Sequence, residues 1–289
     1  MFDLRQPGVA RTSLLTFSVI GLFCCFALRE LRVGNWAVFL QLAPTLMIFP
    51  WGVFAVAFWR LSRASKTPIA DLRDKAVVLL AAVACIPLAA EVSLAGLGPC
   101  IGAVGALMAF RSHGDAQVRA AGICLLALFA NFSVSPLIFR LGYAQFIGLD
   151  MALLQGAIDL AGVPVRVTPA GLEAADGLRV MLVGACSSFA GVSAAILVHM
   201  GWAMAVRTEV GPRDVIAVIA TVGVATMLNI IRLTLTASGH AGYAFWHGGV
   251  GETPLGGQIF WFLQNAILLT GGYLSAHWAG RGARQQAQA

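Results

Sequence analysis

Four residues in the C-terminal half of the chain have types and surroundings suited to acyl transfer: Cys186, Asn229, Arg232 and His247. Cys186 lies in Gly184-Ala185-Cys186-Ser187-Ser188, where an apolar run begins. A cysteine at a helix N-terminus faces unpaired backbone N–H groups and the positive end of the helix dipole, which favours the nucleophilic thiolate. Arg232 sits within an apolar run, Met227-Leu228-Asn229-Ile230-Ile231-Arg232-Leu233. An ionised side chain inside a membrane span is costly and marks function by default. Asn229 is three residues earlier, so the two polar groups share one helix face. A guanidinium there can hold an oxyanion or a carboxylate but cannot serve as a base. The competing reading is structural: Arg232 lies about one turn from its helix end, where it would snorkel and offset the dipole. A cysteine nucleophile also needs a proton carrier that titrates near neutral pH. His247, in Phe245-Trp246-His247-Gly248-Gly249, and His240 are the two candidates placed for it.

The remaining candidates fall away on position. Cys24, Cys25, Cys85, Cys100 and Cys124 lie inside apolar runs and read as small buried hydrophobes. His199 is mid-span, three to four turns below Cys186; His113 and His277 belong to the opposite membrane face. No H-E-x-x-H pattern occurs, and Gly248-Gly249-Val250-Gly251 lacks the Gly-Lys-Ser/Thr ending of a phosphate loop. Neither a metal nor a cofactor is expected.

The elements that must position these residues follow from composition. Of 289 residues, 59% are hydrophobic and only 11% charged, where a soluble domain carries about 25%. That excludes a soluble enzyme, a disordered chain, a secreted disulfide scaffold and a nucleic-acid-binding domain. Continuous apolar runs argue against an outer-membrane barrel, whose strands alternate. An all-α polytopic membrane protein is expected. Spans are predicted near 12–28, 36–59, 76–92, 95–110, 120–139, 186–206, 215–236 and 258–278, which makes eight. The third and fourth come from one apolar stretch broken by Glu91, Gly96, Gly98 and Pro99. With the N-terminus inside, thirteen of the 19 Lys and Arg residues fall in inner segments, five in outer ones, and Arg232 within a span. This bias predicts both termini inside and puts Cys186, Asn229, Arg232 and His247 at the outer face. The chain reads as one membrane-embedded domain over 1–289, with a five-span scaffold over 1–139 and a catalytic half over 140–289.

Two outer segments stand out. Residues 140–185 are too long for a simple turn. Within them 143–162 reads as a helix lying on or dipping into the membrane, and 163–168 and 178–183 as two short strands of a hairpin, punctuated by Pro169, Gly171 and Gly177. Residues 237–257 hold seven glycines together with His240 and His247.

At these residues the sequence resembles the exosortase/archaeosortase family. Its Ala-Cys-Ser-Gly element is similar to Ala185-Cys186-Ser187-Ser188, its Asn-x-x-Arg element to Asn229-Ile230-Ile231-Arg232, and its later histidine with glycine and aromatic to His247, Gly251 and Phe260. Leu154-Gln155 and Gly162-Val163-Pro164-Val165 fit the stretch upstream. The resemblance covers roughly residues 140–275, and Ser188 departs from it where the family has glycine. It implies a polytopic bacterial inner-membrane cysteine protease or transpeptidase with a Cys186, Arg232 and His247 set, supported by Asn229 and Ser187. His240 is the alternative base. Its partners would be the lipid bilayer and exported proteins with a C-terminal tripartite signal: a short motif such as Pro-Glu-Pro, a hydrophobic span and a basic cluster. The family is also linked to exopolysaccharide production. The reading from a different class is a transporter or scaffold component of polysaccharide export, in which Arg232 binds an anionic group and Cys186 is incidental.

Overall fold

The computed structural model describes residues 10–32, 48–65, 70–90, 94–168, 171–181, 186–247 and 254–286. Eleven helices and a small sheet follow one another along these residues. Five helices, α1 (Arg11–Arg32), α2 (Ile48–Ser62), α3 (Leu72–Ala90), α4 (Leu94–Phe110) and α5 (Ala116–Phe129), build the first half. A π-helical turn (Ala130–Val134) carries α5 into α6 (Ser135–Leu141), and α7 (Tyr143–Ala161) follows. Then come β1 (Val165–Thr168), β2 (Gly171–Ala174) and β3 (Arg179–Val180), and α8 (Phe189–Val206), α9 (Pro212–Thr236), α10 (His240–Trp246) and α11 (Leu255–Gln286).

The protein is largely α-helical. Among the described residues, four segments are long and apolar enough to cross a membrane: Arg11–Arg29, Ala116–Leu141, Pro212–Thr236 and Leu255–Trp278. Three shorter apolar helices, Ile48–Ser62, Gly96–Phe110 and Gly191–Val206, accompany them. The sequence pattern leads one to expect eight spans; helix length and apolarity support four. Part of the difference is physical, since α2 and α4 have only 15 and 17 residues, at or below the short end of the roughly 17–25 residues a span needs. The first part of the predicted second span, 36–47, and the break at Glu91 lie outside the described residues.

The distribution of polarity in α9 is that of a helix facing hydrocarbon. Its exposed face carries Val215, Ile216, Ile219, Val224, Met227 and Ile231, while Asp214, Thr221, Asn229, Thr234 and Thr236 are buried. In water the arrangement would be reversed. Phe17, Leu80 and Phe262 are likewise exposed on other apolar helices, giving apolar surface well beyond scattered single residues.

Small residues let the helices approach. A Cβ on Gly122 would lie 2.5 Å from the Ala109 backbone nitrogen and 2.8 Å from the Gly105 carbonyl oxygen, so α4 and α5 pack backbone to backbone. Against α2, α3 and α4, α1 lays the stripe Leu15, Val19, Leu22 and Phe26, spaced by three and four residues and fully or nearly fully buried. The Phe26 ring stacks on Phe132 of the π turn with centroids 5.6 Å apart. Helix α8 is apolar all round and sits centrally, touching α2, α5, α9 and α11.

Polar contacts gather the helix ends at one side of the bundle. Arg11 Nε donates to Asp74 Oδ2 at 2.8 Å, and Arg111 Nη2 to Asp71 Oδ2 at 2.6 Å. Asp115 caps α5 by accepting from the backbone N–H groups of Gln117 and Val118, which supplies orphan donors with an acceptor. Arg60 reaches Gln117 Oε1 and the Arg207 carbonyl, each at 2.8 Å, and the Met204 carbonyl. Arg207 pairs with Asp214, whose Oδ1 also accepts from Ser275. The starts of α1, α3, α5 and α9 and the ends of α2, α4 and α8 therefore share one end, and the sheet and the start of α8 lie at the other.

The Arg11–Asp74 pair is 0% and 1% exposed. Removing one partner of such a pair leaves an uncompensated buried charge. Asp74→Ala is therefore expected to destabilise the detergent-solubilised protein by about 3–5 kcal/mol, seen as a lowered thermal midpoint. An unchanged midpoint would show that the pair contributes nothing net.

The outer segment differs from expectation in one strand. Helix α7 occupies 143–161 as predicted, but the sheet has three antiparallel strands in the order β1-β2-β3. Pairing runs Val165↔Ala174 to Thr168↔Gly171, then Leu172↔Val180 and Glu173↔Arg179. The sequence reading places only a connection where β2 lies, because Gly-Leu-Glu-Ala has no β-branched residue. What makes it a strand is tertiary: Leu172 and Ala174 point into the core while Glu173 does not. Gly171 has φ +139°, and a Cβ there would meet the Val180 carbonyl oxygen at 2.1 Å, so only glycine fits. The predicted second strand, 178–183, survives as β3; residues 182–183 lie outside the described residues.

Candidate functional site

Leu154, Ile158, Leu172, Val180, Ile230, Leu233 and Ala237 form a small apolar core under the sheet, and Cys186 belongs to it. The thiol residue is only 7% exposed. Helix α8 begins at Phe189 with Ser188 as its N-cap, so Cys186 sits two positions outside the cap. The dipole effect expected at a helix N-terminus fades beyond the first turn, and here the first N–H groups are already taken. Ser188 N–H donates to Asp150 Oδ2 at 3.1 Å, and Phe189 N–H to Ser187 Oγ at 3.2 Å. Ser187 Oγ itself donates to Asp150 Oδ2 at 2.7 Å.

From the other side α9 contributes Asn229, which is 6% exposed. Its Nδ2 donates to the Cys186 carbonyl at 2.9 Å and to Ser188 Oγ at 3.2 Å. The sequence puts Asn229 on one helix face with Arg232; its amide contacts in the fold go to the cysteine turn. Serine at 188, the departure from the glycine of the resembled motif, supplies one of those contacts.

One turn beyond Asn229, Arg232 follows on the face of α9 that turns Asn229 toward the cysteine turn. Its guanidinium carbon stands 4.6 Å from the centroid of the Phe260 ring on α11, within cation–π range. The buried Nε has no hydrogen-bond partner among the described residues. A buried arginine donor left open one turn from the residue that grips the cysteine turn is suited to a developing oxyanion.

The two histidines are placed differently. His240 opens α10, and its backbone N–H and Nδ1 lie 2.7 and 2.9 Å from Asp176 Oδ2. The backbone N–H of His240, then its ring, then the Leu178 N–H hold the Asp176 carboxyl down at about 2, well below the usual carboxylate range. His247 closes α10, is exposed, and stacks on Tyr243 with centroids 4.8 Å apart and an 18° interplanar angle. Tyr243 in turn packs against the core that holds Cys186. Tyr243 thus links His247 to the core that holds Cys186, while the His240 ring is engaged by Asp176. Gly248, Gly249 and Gly251, together with Gly184 and Ala185, lie outside the described residues.

His199 behaves as its mid-span position implies. It is 2% exposed and shares a 3.0 Å hydrogen bond with Thr221 Oγ1. Among the described residues no group of three or more His, Cys, Asp or Glu side chains is arranged to hold a metal.

Sequence reasoning passes over Asp150 and Tyr243. Asp150 had a signal: it shares one helix face with Leu154 and Ile158 at four-residue spacing, an acidic side chain on an apolar stripe. Tyr243 had none beyond being aromatic, because its value comes from the ring it stacks against. No family model matches the chain, and no curated protein or solved structure matches it either.

Proposed function

We propose that the chain is a membrane cysteine peptidase or transpeptidase of the exosortase/archaeosortase kind, acting on exported proteins with a C-terminal tripartite sorting signal. The observation that carries this reading is the meeting of Cys186 with α9: Asn229 grips the cysteine carbonyl, and Arg232, with an open donor, follows one turn later on the same helix face. Cys186 thiolate attacks the scissile carbonyl. Arg232 stabilises the tetrahedral oxyanion, and His247 delivers a proton to the leaving amine as the C–N bond breaks. The resulting thioester is resolved by water or by an acceptor amine, with His247 taking back the proton. The test is co-production with an exported reporter whose tail carries a Pro-Glu-Pro motif, a hydrophobic span and a basic cluster. Wild type is expected to release the tail; an intact reporter at normal protein levels overturns the reading.

The same proposal includes eight spans in the bacterial inner membrane, both termini cytoplasmic and Cys186 facing the periplasm. It is supported by the basic bias of the sequence and by the end of the bundle that holds Arg11, Arg60, Arg111 and Arg207, opposite Cys186. Reporter fusions at positions 68 and 289 are expected to be active only as cytoplasmic reporters. A periplasmic signal at either position sinks this topology.

A further inference from the structure

The N-cap residue of α8 supplies no side-chain cap: Ser188 has helical dihedrals, φ −63° and ψ −17°, and its hydroxyl makes no capping bond, while Ser187 Oγ accepts from the Phe189 N–H. The orphan N–H groups of a helix start need acceptors. Here a further acceptor comes from 38 residues away in sequence, on α7. Asp150 is 4% exposed, and a single oxygen, Oδ2, takes both the Ser187 hydroxyl and the Ser188 N–H. On the opposite side of the same turn, Asn229 of α9 donates to the Cys186 carbonyl. The turn is thus held by an acceptor on one helix and a donor on another. Among the described residues, the hydrogen bonds of 186–188 run to those two side chains or to the first backbone N–H groups of α8, Phe189 and Gly191. Asp150 and Asn229 are themselves brought together by the packing of α7 on α9.

We infer that Asp150 is a positioning residue for Cys186: it serves as the cap that the N-cap residue of α8 does not supply and thereby fixes where the thiol stands relative to Arg232. The inference rests on the proposed cysteine chemistry for its functional meaning, but its geometric content does not. Two consequences follow. The essential property is an acceptor at the Oδ2 position, so asparagine, whose Oδ1 can accept both bonds, substitutes for aspartate, whereas alanine does not. The bonds also occlude the Ser188 N–H, so the turn offers no N–H from Ser188 to an oxyanion and the burden falls on Arg232.

The test uses the full chain with its six cysteines, solubilised in mild detergent and treated with iodoacetamide, with alkylation read at each cysteine by mass spectrometry. Cys124, fully buried in the first-half core, reports global packing. Asp150→Ala is expected to speed labelling of Cys186 by about tenfold, the local opening that follows loss of such hydrogen bonds, with Cys124 unchanged. Asp150→Asn is expected to label at close to the wild-type rate. In processing of the tailed reporter, Asp150→Ala is expected to lower kcat by about 100-fold, the cost of a small misplacement of a reacting group, with KM little changed. Unaltered Cys186 labelling in Asp150→Ala overturns the inference. Faster labelling of Cys186 and Cys124 together also overturns it, because Asp150 would then only stabilise the fold. Equal behaviour of the asparagine and alanine variants overturns it as well, since acceptor geometry would not matter. If wild type fails to process the reporter, the proposed reaction falls, while the labelling result still decides the role of Asp150.

Discussion

Replacement of Cys186 by serine is expected to abolish processing of the tailed reporter, by at least about 1,000-fold, the scale on which loss of a nucleophile acts. The substitution is close in size, and the residue is buried against Leu154, Ile230 and Leu233, so the turn that Asp150 and Asn229 hold has no steric reason to move. The change is chemical: a hydroxyl is a far poorer nucleophile than a thiolate. The polysaccharide-export reading gives the opposite result, because a transporter or scaffold has no use for the thiol and tolerates serine. Protein abundance must match wild type, since a misfolded variant would mimic the loss. Processing by Cys186→Ser within a few-fold of wild type removes the cysteine from the mechanism.

The second large effect concerns Arg232. Arg232→Lys is expected to be nearly as damaging as Arg232→Ala, each lowering kcat by about 100-fold or more, as removal of an oxyanion donor does. Two features of the fold make the pair of substitutions informative. The guanidinium lies over the Phe260 ring, a contact for which a planar guanidinium and a compact ammonium are not interchangeable. Its Nε is buried and open, and lysine has no donor at that point along its side chain. If Arg232 merely snorkels at the end of α9, lysine serves almost as well, since it too has a long stem and a positive head. Activity of Arg232→Lys within a few-fold of wild type would demote Arg232 to a structural charge and leave the oxyanion without an identified donor.

The parts of the fold that could be read from the sequence are those set by local pattern. Apolar runs located α1, α5 with its continuation, α9 and α11, and the length of the 140–185 segment pointed to structure within it, where the helix over 143–161 lies. Span counting was less secure, because an apolar run of 15 to 18 residues has the composition of a span at or below its minimum length; α2, α4 and α8 are of this kind. Strand β2 was invisible because its four residues become a strand only by pairing on both edges. At the site, types and spacing singled out Cys186, Asn229 and Arg232. The partner of Asn229 could not be foreseen, since an amide three residues from an arginine looks like its neighbour's support; only the packing of α8 on α9 shows that it faces the cysteine turn. The acceptor role of Asp150 depends on a contact spanning 37 residues and on a cap that the N-cap residue of α8 does not supply, neither of which a linear pattern encodes.

The central claim is that Cys186 becomes acylated by the substrate. Wild-type protein mixed with the tailed reporter, quenched in acid during turnover and analysed by mass spectrometry, tests it directly. The expected species is the reporter fragment upstream of the cleavage joined to the peptide containing Cys186, with a mass lacking one water and a bond cleaved by neutral hydroxylamine. Cleavage that proceeds unimpaired after Cys186 has been alkylated, or an adduct on another residue, would contradict the account.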